Sequence, residues 1–408
     1  MAVRPEFNVR IPMRDGITLS ADIYRPSTEG RYPVILTRTP YNKNTERAFN
    51  RAMVFAEHGY AFVWLDVRGR GDSEGEFVPL RNDGRDGYDA IEWLAGQTWS
   101  TGQVGTWGAS YPGAIQWLAA VQKPPHLTTM IVHVPMSDPF VEWPTGVPIP
   151  WWLYWLRLTD GHVVQHVASV DWKSVWTHLP LLAMDDQAGF QSRTWRADLS
   201  HPTLDAYWEP LRYQHRFDEI DLPVLHVSGW YDDVLIGTVL NFSGMVNHAP
   251  SERARRSQHL ILGPWDHDVN TKRHLGDIDF GPQAIIDLDG QEIRWFDYWL
   301  KGAENGISEE LPVRLFVMGT NTWRDEREYP LARTRWTHYY LHSGGTANSR
   351  FGDGVLSTDP PPNQEPVDTY LYDPARPVPY LSVLGIDAHS EFVNQRRDSE
   401  QPVLAMDG

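Results

Sequence analysis

Gln103-Val104-Gly105-Thr106-Trp107-Gly108-Ala109-Ser110-Tyr111-Pro112-Gly113 reads as a strand, a sharp turn and the start of a helix. That order of elements is what a nucleophile elbow needs: a strained turn lifts the serine into the open, and small neighbours let the chain crowd around it. The helix behind Ser110 would also present unpaired N–H groups and a positive dipole end, where a developing oxyanion is stabilised. The strict pattern Gly-x-Ser-x-Gly is broken by Pro112, with Gly113 one residue late. A helix N-cap is the competing role for a serine here.

Outward from this stretch, strands alternate with helical segments. Two strand-like runs, 6–12 and 16–24, meet at the hairpin signal Asp15-Gly16. Strand 32–38 follows, then a helix over 46–58, strand 60–66, a helix over 84–96, the strand before Ser110, a helix over 111–121 and strand 128–134. Alternation of this kind predicts an α/β fold with a largely parallel sheet. Residues 136–220 change character: tryptophans recur with helical spacing and strand patterns vanish, so a helical cap is expected. The sheet pattern resumes with 223–229 and 259–263, and a helix over 282–301 ends at Lys301-Gly302. Beyond 311 short strands and turns dominate, among them 313–318, 336–341 and 369–371. The expected division is therefore core 1–135, cap 136–220, core 221–305 and a β-domain 306–408.

A serine nucleophile needs a base and an acid that orients it, and in α/β-hydrolases they follow in the order Ser, acid, His. Strand 223–229 runs into Trp230-Tyr231-Asp232-Asp233, and strand 259–263 into Pro264-Trp265-Asp266-His267. Ligand sites in open parallel sheets gather at these strand ends. Asp232 is the candidate acid, with Asp233 competing for the role, and His267 the candidate base. For the oxyanion, the Tyr111 N–H would be one donor and Tyr41, after strand 32–38, offers a phenolic O–H. The loop Gly69-Arg70-Gly71-Asp72-Ser73-Glu74-Gly75 matches no phosphate-binding pattern and reads as a tight turn. His162 and His166 are four apart but lack a third ligand, so they read as surface residues. The acids from Asp277 to Asp289 read as solvated surface.

The 408 residues carry 41% hydrophobic and 22% charged side chains, as a globular protein does. A formal net charge of −17 excludes nucleic acid as a natural partner and disfavours an anionic membrane surface. With no cysteine, thiolate nucleophiles, thiolate metal sites and disulfides are excluded. No signal-peptide run and no membrane-spanning run is found, so a cytoplasmic location is expected.

The motifs together resemble the CocE/NonD hydrolase family, which includes cocaine esterases and X-Pro dipeptidyl-peptidases. The carrying segments are Asp15-Gly16-Ile17-Thr18-Leu19, Arg38-Thr39-Pro40-Tyr41, Asp66 to Gly75, Gly108 to Gly113, Gly229-Trp230-Tyr231-Asp232, Gly263 to His267, Pro312 to Gly319 and Trp323 to Glu326. The resemblance implies an α/β-hydrolase core, a helical cap and a C-terminal jelly-roll. It also implies Ser110, Asp232 and His267 as catalytic residues, and Tyr41 with the Tyr111 N–H as oxyanion hole. No metal or organic cofactor is implied. Substrates would be small esters or amides, and Trp143, Trp151, Trp152 and Trp230 are the candidates for binding them. A jelly roll needs about eight strands, more than 306–408 supplies, so an incomplete β-domain and a tendency to form homo-oligomers are expected. The readings kept open are an ester hydrolase, an amide-cleaving acylase or X-Pro-type aminopeptidase on the same residues, and a non-catalytic binding scaffold.

Overall fold

Ten strands form one sheet. The computed structural model describes residues 2–276, 278–348 and 351–375. In chain order the first half holds β1 (Val3–Pro12), β2 (Thr18–Pro26), β3 (Tyr32–Thr39), α1 (Glu46–Glu57), β4 (Ala61–Asp66), α2 (Asp83–Ala95), β5 (Ser100–Ala109), α3 (Tyr111–Ala120) and β6 (Leu127–His133). Short helices follow: α4 (Pro139–Glu142), α5 (Pro150–Leu158), α6 (Trp172–Trp176), α7 (Met184–Gln187) and α8 (Arg193–Ser200). Then come β7 (Val224–Gly229), α9 (Leu235–His248), α10 (Glu252–Arg256), β8 (Gln258–Gly263), the two-residue strands β9 (His274–Leu275) and β10 (Ile278–Asp279), and α11 (Leu288–Lys301). The last elements are β11 (Val313–Val317), β12 (Thr322–Glu326), β13 (Tyr340–His342) and β14 (Val355–Ser357).

The sheet runs in the order β1-β2-β4-β3-β5-β6-β7-β8-β11-β12, and strands β3 to β8 and β11 run parallel to one another within it. β4 is buried along its whole length, and β3 and β6 nearly so, as expected of strands covered on both faces. Alternation of side chains divides their cargo. Val34, Leu36, Val63 and Val132 face a core shared with α2, α3 and the cap. Ile35, Phe62 and Ile131 face a second core, closed by Phe55 of α1 and Phe296 of α11. All seven parallel strands therefore release their C-terminal loops at one edge.

The segment from 136 to 220 carries five short α-helices and no strand, in line with the helical character expected there. α11 begins at Leu288, later than expected, because the Asp287 side chain accepts from the Gly290 N–H and caps it. Gly302 ends it in the left-handed conformation, φ 67°. One expectation is corrected. Residues 313–318 were assigned to a separate β-domain, but β11 pairs parallel with β8 (Leu315 opposite Leu262), and β12 pairs antiparallel with β11. The cause is apolar: Val313 and Leu315 pack against Leu260 and Leu262. Past β12, the described residues form only the ladder β13–β14; the expected strand over 336–341 shrinks to Tyr340–His342, and 369–371 is irregular. The remainder of the expected jelly-roll, 376–408, and Asp277 lie outside the described residues.

Candidate active site

Ser110 stands between β5 and α3 with φ 64° and ψ −126°, a conformation that costs a non-glycine residue about 1–3 kcal/mol and clusters at functional sites. Its neighbours explain the broken motif. A Cβ on Gly108 would meet the Pro112 carbonyl oxygen at 2.5 Å, and one on Gly113 would meet the His133 carbonyl oxygen at 2.7 Å. The small residues are thus needed at 108 and 113, and Pro112 is free to start the helix. The Ser110 N–H donates to the His133 carbonyl at 3.0 Å, which ties the turn to β6.

Asp232 and His267 leave the ends of adjacent strands, with Gly229 opposite Gly263. The two loops cross closely: the Trp230 N–H donates to Gly263 at 2.9 Å and the Tyr231 N–H to Trp265 at 3.0 Å. A Cβ on Gly229 would lie 2.0 Å from the Trp265 carbonyl oxygen, and one on Gly263 would enter the Trp265 ring. The crossing brings His267 Nδ1 to 2.8 Å from Asp232 Oδ1. Ser228 Oγ donates to the other Asp232 oxygen at 2.7 Å, and the Asp232 carboxylate is fully buried. Asp233 stands at 3.5 Å from the same His267 nitrogen and is partly exposed. Burial works against the protonated imidazole, but the hydrogen bond to Asp232 and the charges of Asp232, Asp233 and Asp268 outweigh it, and the pKa is pushed up to about 9.

Tyr41 and Ser110 line the same cavity, and the Ser110 side chain is among the groups that act on the Tyr41 hydroxyl. Its oxygen accepts from Trp155 Nε1 at 2.9 Å, which leaves the phenolic proton to be donated elsewhere. Burial raises its pKa, against the pull of Trp155, Ser110 and Arg70, so the phenol remains a donor at neutral pH. The Tyr111 N–H opens α3 and has no acceptor within the helix. The Tyr111 ring is pinned, its hydroxyl donating to Asp83 at 2.6 Å and its face stacked on Trp155. Ser110, Tyr41 and His267 line one cavity of about 840 Å³, within the range of small-molecule sites.

Residues 15–268, more than half of the chain, match the model of the family described as X-Pro dipeptidyl-peptidase (S15 family). The cocaine esterase of Rhodococcus sp. (strain MB1 Bresler) is 34% identical over 401 residues, which cover 92% of this chain and 68% of that protein. This chain belongs to the S15 family. Two solved structures share its fold. An α-amino acid ester hydrolase superposes with a TM-score of 0.76 at 24% identity, over 97% of this chain and 71% of the other. A CocE/NonD family hydrolase from Staphylococcus aureus gives 0.61 at 22% identity, over 86% and 60%. The S15 chain is thus a hydrolase with an α/β-hydrolase core.

The S15 site draws only part of the expected tryptophan set. Trp151 lines the cavity. Trp143 and Trp152 do not; they are buried in the cap, 5.4 Å apart by ring centroids, and Trp152 Nε1 donates to buried Asp198. Trp230 is turned away by the loop crossing and donates to the Phe316 carbonyl of β11 at 2.7 Å. Sequence reasoning missed Trp155, whose offset of four from Trp151 on α5 places both on one helix face, and Trp64 and Trp107, which complete the wall. It also missed Glu142 of α4. Burial, helped by the charges of Asp233 and Asp232, pushes its pKa up to about 7, and its carboxylate accepts from the Ser137 N–H at 2.5 Å. His162 and His166 gather no metal set: among the described residues the grouping able to share an ion is Asp232, Asp233 and His267 itself. Among the same residues no helix is long and apolar enough to cross a membrane.

Proposed function

We propose that this S15 hydrolase is a serine esterase that cleaves small carboxylic esters through an acyl-enzyme. The observation that supports it best is the convergence in one cavity of a strained Ser110, the Tyr41 side chain, and His267 held by Asp232. With Nδ1 engaged by Asp232, Nε2 is the basic nitrogen. It takes the Ser110 proton as Oγ attacks the ester carbonyl, and the oxyanion is held by the Tyr41 hydroxyl and the Tyr111 N–H. The leaving alcohol takes that proton, and water, deprotonated by His267, releases the acid and restores Ser110. Asp232 orients the imidazole and stabilises its charged form. The aromatic part of the cavity wall, formed by Tyr41, Trp64, Trp107, Trp151 and Trp155, favours an apolar acyl or alcohol group.

The test is release of p-nitrophenol from short-chain acyl esters by the parent and by Ser110→Ala. Turnover by the parent, with kcat lowered about 10⁴-fold or more in the variant, is the expected result. Equal rates in both would refute the nucleophile. The family model, described as a dipeptidyl-peptidase, favours a second reading, amide cleavage on the same residues. Matched esters and anilides of one acyl group separate the two. The 34% identity to an esterase favours faster ester turnover.

A further inference from the structure

The loop from Asp66 to Gly75 has no part in the proposed chemistry, yet it holds one of the largest fully buried side chains, Arg70. Arg70 Nε donates to the Pro40 carbonyl at 2.8 Å, and Nη1 to the carbonyls of Thr159, at 2.6 Å, and Gly161. Pro40 immediately precedes Tyr41. Thr159 is the C-cap of α5, where a cation also meets the negative end of the helix dipole. One turn back on α5, Trp155 donates to the Tyr41 oxygen. The contacts close a ring: Arg70 to the backbone beside Tyr41, Tyr41 to Trp155, and α5 back to Arg70. A second tie runs in parallel, the Gly71 N–H donating to the His162 carbonyl at 2.6 Å.

From this ring, and resting on the oxyanion role proposed for Tyr41, we infer that Arg70 is a positioning residue that sets where the Tyr41 hydroxyl stands relative to Ser110. Arg70 does not line the cavity, so it acts through Tyr41 and not on substrate. Stability alone is a poor reason for its presence. Burial pulls its pKa down to about 10, and Nη2 finds no acceptor among the described residues. A buried cation with an idle donor is costly, and apolar replacements of similar volume are often neutral or better. What an apolar side chain could not do is hold two separate backbone segments with one rigid fork. Lysine, with a single ammonium on a flexible stem, would do it poorly.

The experiment is a double-mutant cycle on ester hydrolysis with Arg70→Met and Tyr41→Phe, alone and combined. Rates are expressed per Ser110 that reacts with a fluorophosphonate probe, so that loss of folded enzyme does not count. Arg70→Met is expected to lower kcat roughly 10- to 100-fold with KM changed less than about twofold, as an oxyanion donor displaced by an ångström would. In the Tyr41→Phe background it should cost less than about twofold more. Penalties that multiply, or an unchanged kcat per labelled serine, would overturn the inference. Should Arg70→Met fail to fold, Arg70→Lys enters the same cycle, with a smaller loss that must again vanish without the Tyr41 hydroxyl. A parent that neither turns over nor takes the probe would defeat the serine-esterase reading itself, and this inference with it. An active parent with independent penalties defeats only the role of Arg70.

Discussion

Ser110, Asp232 and His267 hang from strands whose register leaves their loops little freedom, whereas the tryptophans of α5 divide between the cavity and the interior of the cap. On the sheet side, position follows from backbone. Gly229 pairs with Gly263, the two loops cross, and the carboxylate and imidazole meet at 2.8 Å. On the cap side, position follows from packing. Trp151 and Trp155 face the cavity, while Trp152 stacks flat on Trp155 at 4.9 Å and buries its N–H against Asp198. The sheet brings Asp232 and His267 to hydrogen-bond distance, and the cap supplies Trp151 and Trp155 to the cavity wall. Tyr41 belongs to both, since it leaves β3 but is held by Trp155.

The sharpest test of that division is Tyr41→Phe. If Tyr41 serves the chemistry, kcat falls about 10²- to 10³-fold with KM little changed; a rise in KM alone would move it to the substrate wall. Next come the adjacent tryptophans. Trp152→Ala should cost about 3–5 kcal/mol of stability, read as a lower denaturant midpoint, because it empties a buried site and strips Asp198 of a donor. Trp151→Ala should cost under about 1 kcal/mol and instead raise KM several-fold for bulky acyl esters. Interchanged results would break the assignment of α5's two faces.

The smallest effect concerns Asp233. His267 must be neutral to accept a proton, and its pKa stands near 9. Activity should therefore rise with pH towards that value, and be lost in acid as the imidazole gains its proton. Asp233 is one of the charges that raise the pKa. Asp233→Asn should move the limb of kcat/KM to lower pH by about one pH unit and speed turnover at pH 7. An unmoved limb would leave the raised pKa to Asp232 and Asp268.

Much of this was legible in advance, for particular reasons. An acid and a histidine placed just beyond apolar runs can be located without coordinates, because parallel strands release their loops at one edge. The departure at Pro112 looked like a flaw and is none, since close approach is needed at 108 and 113. The strand 313–317 was legible as a strand, but period two says nothing about which neighbour it pairs with, and its place beside β8 was missed. Position in the chain does not say which way a side chain faces, so Trp143, Trp152 and Trp230 are candidates in the sequence but lie outside the cavity wall. Arg70 was read as part of a plain turn, because its three carbonyl partners come from segments 30 to 91 residues away.

By itself the amino-acid order determined the strand–turn–helix around Ser110, the order in which Ser110, Asp232 and His267 follow along the chain, the lack of any thiol and the net charge of −17. These depend on local geometry and on composition, which neighbouring residues suffice to express. Tertiary structure alone decided which of Asp232 and Asp233 stands closer to His267, which tryptophans wall the cavity, and how a buried arginine joins the Tyr41 loop to the cap. Those outcomes depend on which distant surfaces exclude water together, and no local pattern encodes that.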